Sequence, residues 1–207
     1  MTDSDDRGTE DPVTSALVDG STYDQIRVQR ISTFKWPVRQ KLFRLGGLSS
    51  AMSAVILSLA LLPSGVVEFL PTDPYAALTR TVLVAAIGVA VMAISGVLLA
   101  VAEAARKRLE PMDEARAEAM LAFEEMWSLI GFVIGGGTAA IAAGFVIAAH
   151  AGVDVLDGVY RLIGPMAYTS VPAPIPPSAV AVTALAVGTT FLVVSAVFPD
   201  EGQWTGS

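Results

Sequence analysis

Residues 81–102 read TVLVAAIGVAVMAISGVLLAVA, 22 consecutive positions without a charged side chain. As an α-helix rising about 1.5 Å per residue, this run reaches roughly 33 Å, which matches the roughly 30 Å hydrocarbon thickness of a lipid bilayer. A strand interpretation fails, because the run is too long for a strand and its apolar residues do not alternate with polar ones. The run predicts a transmembrane helix.

Three further runs, residues 45–67, 127–149 and 178–198, also lack charged side chains and have the length of a bilayer span. Four such helices would leave little of a 207-residue soluble protein to face water. The composition agrees, since 16% of residues are charged against about 25% in soluble domains. We predict an all-α, polytopic membrane protein: a four-transmembrane-helix bundle.

The distribution of Lys and Arg predicts the orientation of these helices. With the N-terminus inside, eleven basic residues fall on the inner side, and only Arg80 and Arg161 fall outside. Lys and Arg accumulate in cytoplasmic loops, whereas acidic residues contribute little to orientation. We therefore expect a multi-pass protein of the cell membrane with both termini in the cytoplasm.

The two ends of the chain differ from its centre. Residues 1–30 are rich in Asp and poor in large apolar side chains, which predicts a disordered acidic cytoplasmic tail. Residues 31–44 form a basic juxtamembrane segment, residues 45–198 the membrane domain, and residues 199–207 a short cytoplasmic C-terminal tail.

Basic and aromatic side chains next to the predicted spans are candidate contacts for anionic headgroups or for a membrane protein partner. These residues are Arg27, Arg30, Lys35, Trp36, Arg39, Lys41, Arg44, Arg106, Lys107 and Arg108. A basic aromatic stretch can also bind nucleic acid, but a predicted span follows this one immediately. We therefore expect the lipid bilayer, and no nucleic acid, as its partner.

The segment before the third run predicts a cytoplasmic helical extension. Pro111 interrupts the preceding helix, and Asp113 and Glu114 suit the first turn of a new one. Apolar residues then recur at three- and four-residue spacing into the apolar run. We predict one long helix over 112–149, whose first turns stand in the cytoplasm.

Small residues at four-residue spacing mark the third run. Gly131 and Gly135 form a GxxxG pair, and Gly136, Ala140 and Gly144 form a neighbouring stripe. Such stripes allow close approach of helix backbones. We expect this face to pack on another helix, within the monomer or across a homo-oligomer; the alternative is that it lines a pore.

Motifs for catalysis or cofactor binding are not found. The chain lacks cysteine, a P-loop, GxSxG, HExxH and a dinucleotide fingerprint.

Glu68 and Glu103, the carboxylates nearest the spans, are expected to be hydrated at the interface. His150, Asp154 and Asp157 have helical spacing, but a single His is a weak metal signal. We predict no enzyme, no cofactor and no metal, and whether these three residues form a site stays open.

The sequence does not define a specific biochemical role. We expect a small membrane scaffold or accessory protein; a transporter or channel for a neutral or apolar solute is the alternative, and an enzyme ranks third. The 20 acidic residues against 13 basic ones suggest a halophilic archaeon, whose acidic surfaces stay hydrated in salt. An acidic tail on an ordinary bacterial protein is the other explanation.

Overall fold

The computed structural model describes residues 22–29, 36–109 and 111–198. In chain order its helices are α1 (Thr22–Gln29), α2 (Val38–Leu57), α3 (Ser64–Phe69), α4 (Arg80–Leu109), α5 (Glu114–His150), α6 (Val153–Ile163) and α7 (Pro177–Val197). Short 3₁₀ segments, Ser58–Leu61 and Pro165–Tyr168, follow α2 and α6. Among the described residues four helices are long and apolar enough to cross a membrane: α2 with its 3₁₀ extension, α4, α5 and α7. The predicted four-helix architecture is confirmed at this level.

The first long helix is displaced from the predicted run 45–67. It begins at Val38 and, with its 3₁₀ turn, ends at Leu61. Leu62 is extended, with φ −63° and ψ 140°, because the ring of Pro63 disfavours helical backbone at the residue before it. Arg39, Lys41 and Arg44 therefore lie in the first turns of this helix, ahead of the uncharged run.

The third long helix runs without interruption from Glu114 to His150, which confirms the predicted continuity of 112–149. Asp113 caps its start, accepting a hydrogen bond from the Arg116 backbone N–H at 2.9 Å. Residues Ile130–Gly136 form π-helical turns between the two α-helical parts. That its first turns stand in the cytoplasm stays a prediction.

Helix pairs in the bundle are held by close backbone approach. α2 packs mainly on α7, and α4 packs mainly on α5. A Cβ on Gly188 would lie 2.8 Å from the Gly46 carbonyl oxygen, and a Cβ on Gly88 would lie 2.9 Å from that of Gly135. Both crossings require glycine, because a side chain would force the backbones apart.

The bundle has two distinct ends. The end that carries Val38, Leu109 and Glu114 is called the basic end, and the end that carries Arg80 and His150 is called the loop end. At the basic end α1 packs on α5, where Tyr23 joins a buried cluster with Met112, Ala117 and Leu121. The predicted disordered tail, 1–30, is thus helical over Thr22–Gln29; residues 1–21 and 30, like the C-terminal tail 199–207, lie outside the described residues.

Candidate functional site

Five polar side chains are buried together at the basic end. Lys41, Glu103, Arg106 and Glu124 are each no more than 7% exposed, and Tyr23 is 1% exposed. We call this group the basic-end cluster. Its side chains come from α1, α2, α4 and α5. The cluster therefore connects every described helix that reaches this end except α7.

Glu124 is the acceptor at the centre of one half of the basic-end cluster. The Lys41 Nζ atom donates to Glu124 Oε1 at 2.5 Å. The Tyr23 hydroxyl donates to the other carboxylate oxygen, Oε2, also at 2.5 Å. One carboxylate of α5 therefore holds both α2 and α1.

Glu103 and Arg106 form the other half, within α4. The Arg106 Nη2 and Nε atoms donate to the two Glu103 oxygens at 2.8 and 3.1 Å, and Lys107 Nζ lies 3.3 Å from Oε1. The Arg106 guanidinium also lies 4.9 Å from the centre of the Tyr23 ring, within range of a cation–π interaction. Tyr23 thus contacts both halves.

The chemistry of the basic-end cluster is that of a structural connection. Removing a carboxylate from water costs several kcal/mol unless a counter-charge and hydrogen bonds replace the lost hydration. Glu124 and Glu103 each have a buried cation and a second donor at bonding distance. Within the described part of the chain, no group of three or more His, Asp or Glu residues could hold a metal ion. The arrangement favours fixing α1 in place.

The predicted headgroup and partner contacts fall into different surroundings. Lys41 and Arg106 are buried in the protein. The expectation of a hydrated Glu103 is wrong, because this carboxylate is buried in an ion pair with Arg106. Arg108 is exposed, and Lys107 is 37% exposed. Arg30, Lys35 and the side chain of Arg27 lie outside the described residues.

Trp36, Arg39 and Arg44 complete that set. The Arg44 guanidinium lies 3.4 Å from the centre of the Trp36 ring, and Trp36 meets Phe132 of α5 edge-on at 5.9 Å. Arg39 Nε donates to the Ser195 carbonyl at 3.1 Å, at the end of α7. Arg44 stays exposed, so the outward-facing part of this surface is smaller than the sequence suggested.

The predicted stripe of small residues divides between two surroundings. A Cβ on Gly131 would lie 2.9 Å from Ser95 Cβ, and one on Gly135 would lie 2.8 Å from Met92 Cγ, so both face α4. By contrast, a Cβ on Gly136 would first meet a side chain at 3.7 Å, one on Gly144 would meet nothing within 4 Å, and Ala140 is exposed.

The π-helical turns explain this division. They hold more residues per turn than an α-helix, so positions 131, 135 and 139, spaced by four, stay in line towards α4. Ala139 is 6% exposed and touches Gly88. Ala140 and Gly144 of the neighbouring stripe face away from the monomer, whereas Gly136 is half-buried near Leu48 of α2. Packing of this stripe in a homo-oligomer stays a prediction.

His150 and Asp157, two of the three candidate residues at the loop end, have separate partners. The His150 Nε2 atom lies 3.0 Å from Ser58 Oγ, whose hydroxyl donates to the Val55 carbonyl at 2.7 Å. Asp157 pairs with Arg161 at 2.5 Å. The contact between His150 and Ser58 links the end of α5 to the 3₁₀ segment that follows α2.

Sequence reasoning missed Tyr23 and Glu124, although one signal was available. Glu124 falls on the buried face of α5 together with Ala117, Leu121 and Ser128, a three- and four-residue spacing that marks one side of a helix. A carboxylate on an otherwise apolar face indicates a buried partner. The i,i+3 spacing of Glu103 and Arg106 carries the same information for α4.

No protein family, curated protein or solved structure matches this chain. The class that the fold defines is a helical bundle with four helices long and apolar enough to span a membrane.

Proposed function

We propose that this chain is a multi-pass protein of the cell membrane that acts as a non-catalytic scaffold or accessory subunit. Its partner surface is formed by α1 and the first turns of α5, on the cytoplasmic side. The observation that carries the proposal is the basic-end cluster, in which Glu124 of α5 binds both Lys41 of α2 and Tyr23 of α1.

The way in which charge is used supports a structural role. Lys41, Glu103, Arg106 and Glu124 are buried and paired, so they fix helix positions. Transport of ions or protons usually relies on ionisable groups inside the spans that face a cavity. Exposed charges such as Arg108, Glu114 and Arg116 lie around the docked α1–α5 surface and are suited to recognition by a partner protein.

The proposed orientation follows from the charges at the two ends. The described basic end carries Arg39, Lys41, Arg44, Arg106, Lys107, Arg108 and Arg116, whereas the loop end carries Arg80 and Arg161. The positive-inside rule assigns the basic end to the cytoplasm. Anionic headgroups of that leaflet are the proposed lipid partners of Trp36 and Arg44.

Two experiments test this proposal. Reporter fusions after Ser207 and at Gly158 should report opposite sides of the membrane, with the C-terminus inside. Purification in mild detergent should retain a second protein at a fixed ratio, and replacing exposed Arg108 and Arg116 by Glu should release it while the fold is kept. A protein that always purifies alone would contradict the accessory role.

We also propose that the protein comes from a halophilic archaeon. The acidic surplus gives a net charge of −7, which is destabilising at low salt and is screened over a few ångströms in molar salt. If this proposal is right, the stability of the protein rises with salt concentration into the molar range.

One observation favours a second candidate, a transporter or channel for a neutral solute. The hydroxyl oxygens of Ser49 and Ser95 are buried within the long helices, and neither has a hydrogen-bond partner among the described residues. Ser95 lies beside Gly131 in the π-helical turns, a type of irregularity that is frequent at functional sites. Flux of a small polyol into reconstituted vesicles, lost on Ser95→Ala, would favour this candidate over the scaffold.

A further inference from the structure

Helix α6 is divided lengthwise into three faces, of which the first contacts the protein. Leu156 and Tyr160, four residues apart, lie on this face. Leu156 is fully buried, and the Tyr160 ring stacks on Phe69 of α3 with 5.3 Å between ring centres. This face attaches α6 to the loop end of the bundle.

The second face of α6 is charged. Asp154, Asp157 and Arg161 follow one another at three- and four-residue spacing, which places them on one side of the helix. The Arg161 Nη2 atom lies 2.5 Å from Asp157 Oδ2, and the Arg161 side chain is 79% exposed. These groups require water, so this face marks the solvent side.

The third face of α6 is apolar and uncovered. Val155 and Leu162, seven residues apart, are 44% and 85% exposed. Ile163, the last residue of α6, and Met166, three residues further on, continue the apolar surface at 50% and 57% exposed. Since residues in a helix are about 100° apart, this stripe lies between the face on the bundle and the charged face. A large uncovered apolar stripe of this kind marks a binding surface.

The connections of α6 hold it at the level of the helix ends. After α6 the chain returns to the bundle: the Tyr168 hydroxyl donates to the Phe145 carbonyl at 2.7 Å, and the Thr81 hydroxyl donates to the Ala167 carbonyl at 2.8 Å. Phe145 is five residues before the end of α5, about 7.5 Å along its axis. The helix therefore lies across the loop end and does not project away from it.

We propose that α6 lies in the boundary between headgroups and acyl chains of the leaflet at the loop end, with Val155 and Leu162 in lipid. This inference rests on the proposed membrane insertion of the bundle. A helix with protein at one side, lipid below and water above needs three faces, and α6 has these three. Ile147, in the last turn of α5, is 64% exposed, so the apolar surface of the bundle reaches the same level. Interfacial helices bury their apolar face about 5–10 Å into this boundary.

The absence of cysteine from the chain allows a direct test by spin labelling. Single variants Leu162→Cys, Val155→Cys, Asp154→Cys and Ile141→Cys are labelled with a nitroxide and reconstituted into phosphatidylglycerol/phosphatidylcholine vesicles. Collision with oxygen, which concentrates in lipid, and with a water-soluble nickel chelate then reports the surroundings of each label. Ile141 is exposed on the apolar part of α5, nine residues before the end of this helix. It serves as the control for membrane insertion.

We expect labels at 155, 162 and 141 to favour oxygen and the label at 154 to favour the nickel chelate. A label at 162 that favours the chelate, while 141 favours oxygen, would overturn the lipid contact of α6 and leave membrane insertion intact. A label at 162 that neither reagent reaches would show that protein covers this face, which also overturns the inference. A label at 141 that favours the chelate would instead overturn the membrane insertion of the proposed function.

Discussion

Lys41 Nζ lies 2.5 Å from Glu124 Oε1, and both side chains are almost completely buried. The two residues are 83 positions apart in the chain, so this ion pair fixes the start of α2 against the first third of α5. A buried pair adds little stability compared with apolar side chains of similar volume, but removing one partner leaves an uncompensated charge. This asymmetry makes the ion pair a sensitive test of the fold.

We expect Glu124→Gln to lower the free energy of unfolding by about 3–5 kcal/mol, because the buried Lys41 ammonium then loses the charged carboxylate 2.5 Å from its Nζ atom. Thermal unfolding in detergent measures the loss. Glu114→Gln is the matched control: Glu114 is exposed in the first turn of α5, and its replacement should change stability by less than about 0.5 kcal/mol.

A double variant separates the ion pair from other effects at the same positions. Lys41→Met combined with Glu124→Leu removes both charges, and it should recover a large part of the stability that either single replacement costs. Additive losses in the double variant would mean that the two charges do not interact across the helices.

Tyr23 provides a second prediction, concerning the docking of α1. Backbone amides in 22–29 should exchange slowly with solvent, because Tyr23 is buried against α5 and bonds Glu124. Tyr23→Ala removes both the ring and the hydroxyl, so exchange there should rise to the rate of an unstructured peptide. Tyr23→Phe keeps the ring and loses one hydrogen bond to a charged group, about 1.5–3 kcal/mol. Fast exchange in the unsubstituted protein would contradict the docked helix.

The sequence was sufficient to predict the long helices because their signal is local. Length and lack of charge are visible in each run by itself, as in residues 81–102 and 178–198. The structure has helices at Arg80–Leu109 and Pro177–Val197. The shift of α2 arose because the uncharged run was taken as the span. Pro63 falls inside that run, whereas the first charged turns of α2 fall outside it.

The basic-end cluster could not be predicted in the same way, because it depends on which helices are neighbours. Lys41 and Glu124 each appear as ordinary charges close to a span, and only the packing of α5 beside α2 brings them together. Helix α6 (Val153–Ile163) was not predicted, although the spacing of Asp154 and Asp157 is helical.

Ionisation of Tyr168 should lower the stability of the fold at alkaline pH. Burial, with a contribution from nearby Tyr160, raises the pKa of the Tyr168 phenol from 10.0 to about 12. The folded state therefore holds this proton more tightly than the unfolded state. Its contribution to stability is complete below pH 10 and is lost as the pH rises from 10 to about 12.

The measurement is the unfolding temperature between pH 9 and 12, with the ordinary tyrosine pKa of about 10 inside the range. Tyr168→Phe should be less stable at neutral pH, since the bond to the Phe145 carbonyl is lost, but should fall less steeply above pH 10. Exposed Tyr75 supplies the control, and Tyr75→Phe should keep the steep fall. If the unfolding temperature of Tyr168→Phe falls with pH as steeply as that of the unsubstituted protein, another group is responsible for the loss of stability at alkaline pH.

Salt should stabilise the protein if its acidic surplus is an adaptation to brine. With a net charge of −7, the unfolding temperature in a neutral detergent should rise as KCl is increased from about 0.1 M to above 1 M, because screening weakens repulsion among carboxylates. Sorbitol at equal osmolality is the control for effects other than screening. A flat or falling unfolding temperature in KCl would argue against the halophilic origin.

Gly135 and Gly144 allow the two faces of α5 to be compared with the same substitution. An Ile at Gly135 would meet Met92 and the Gly88 carbonyl, so Gly135→Ile should cost about 1–3 kcal/mol by overpacking the contact with α4. A Cβ at Gly144 meets nothing within 4 Å, so Gly144→Ile should leave the unfolding free energy of the monomer unchanged. The stripe of Gly136, Ala140 and Gly144 could instead join two copies of the chain. In that case Gly144→Ile should reduce the oligomer size, which size-exclusion chromatography with light scattering measures. Equal loss of stability in both variants would contradict the division of this helix into an α4 face and an outward face.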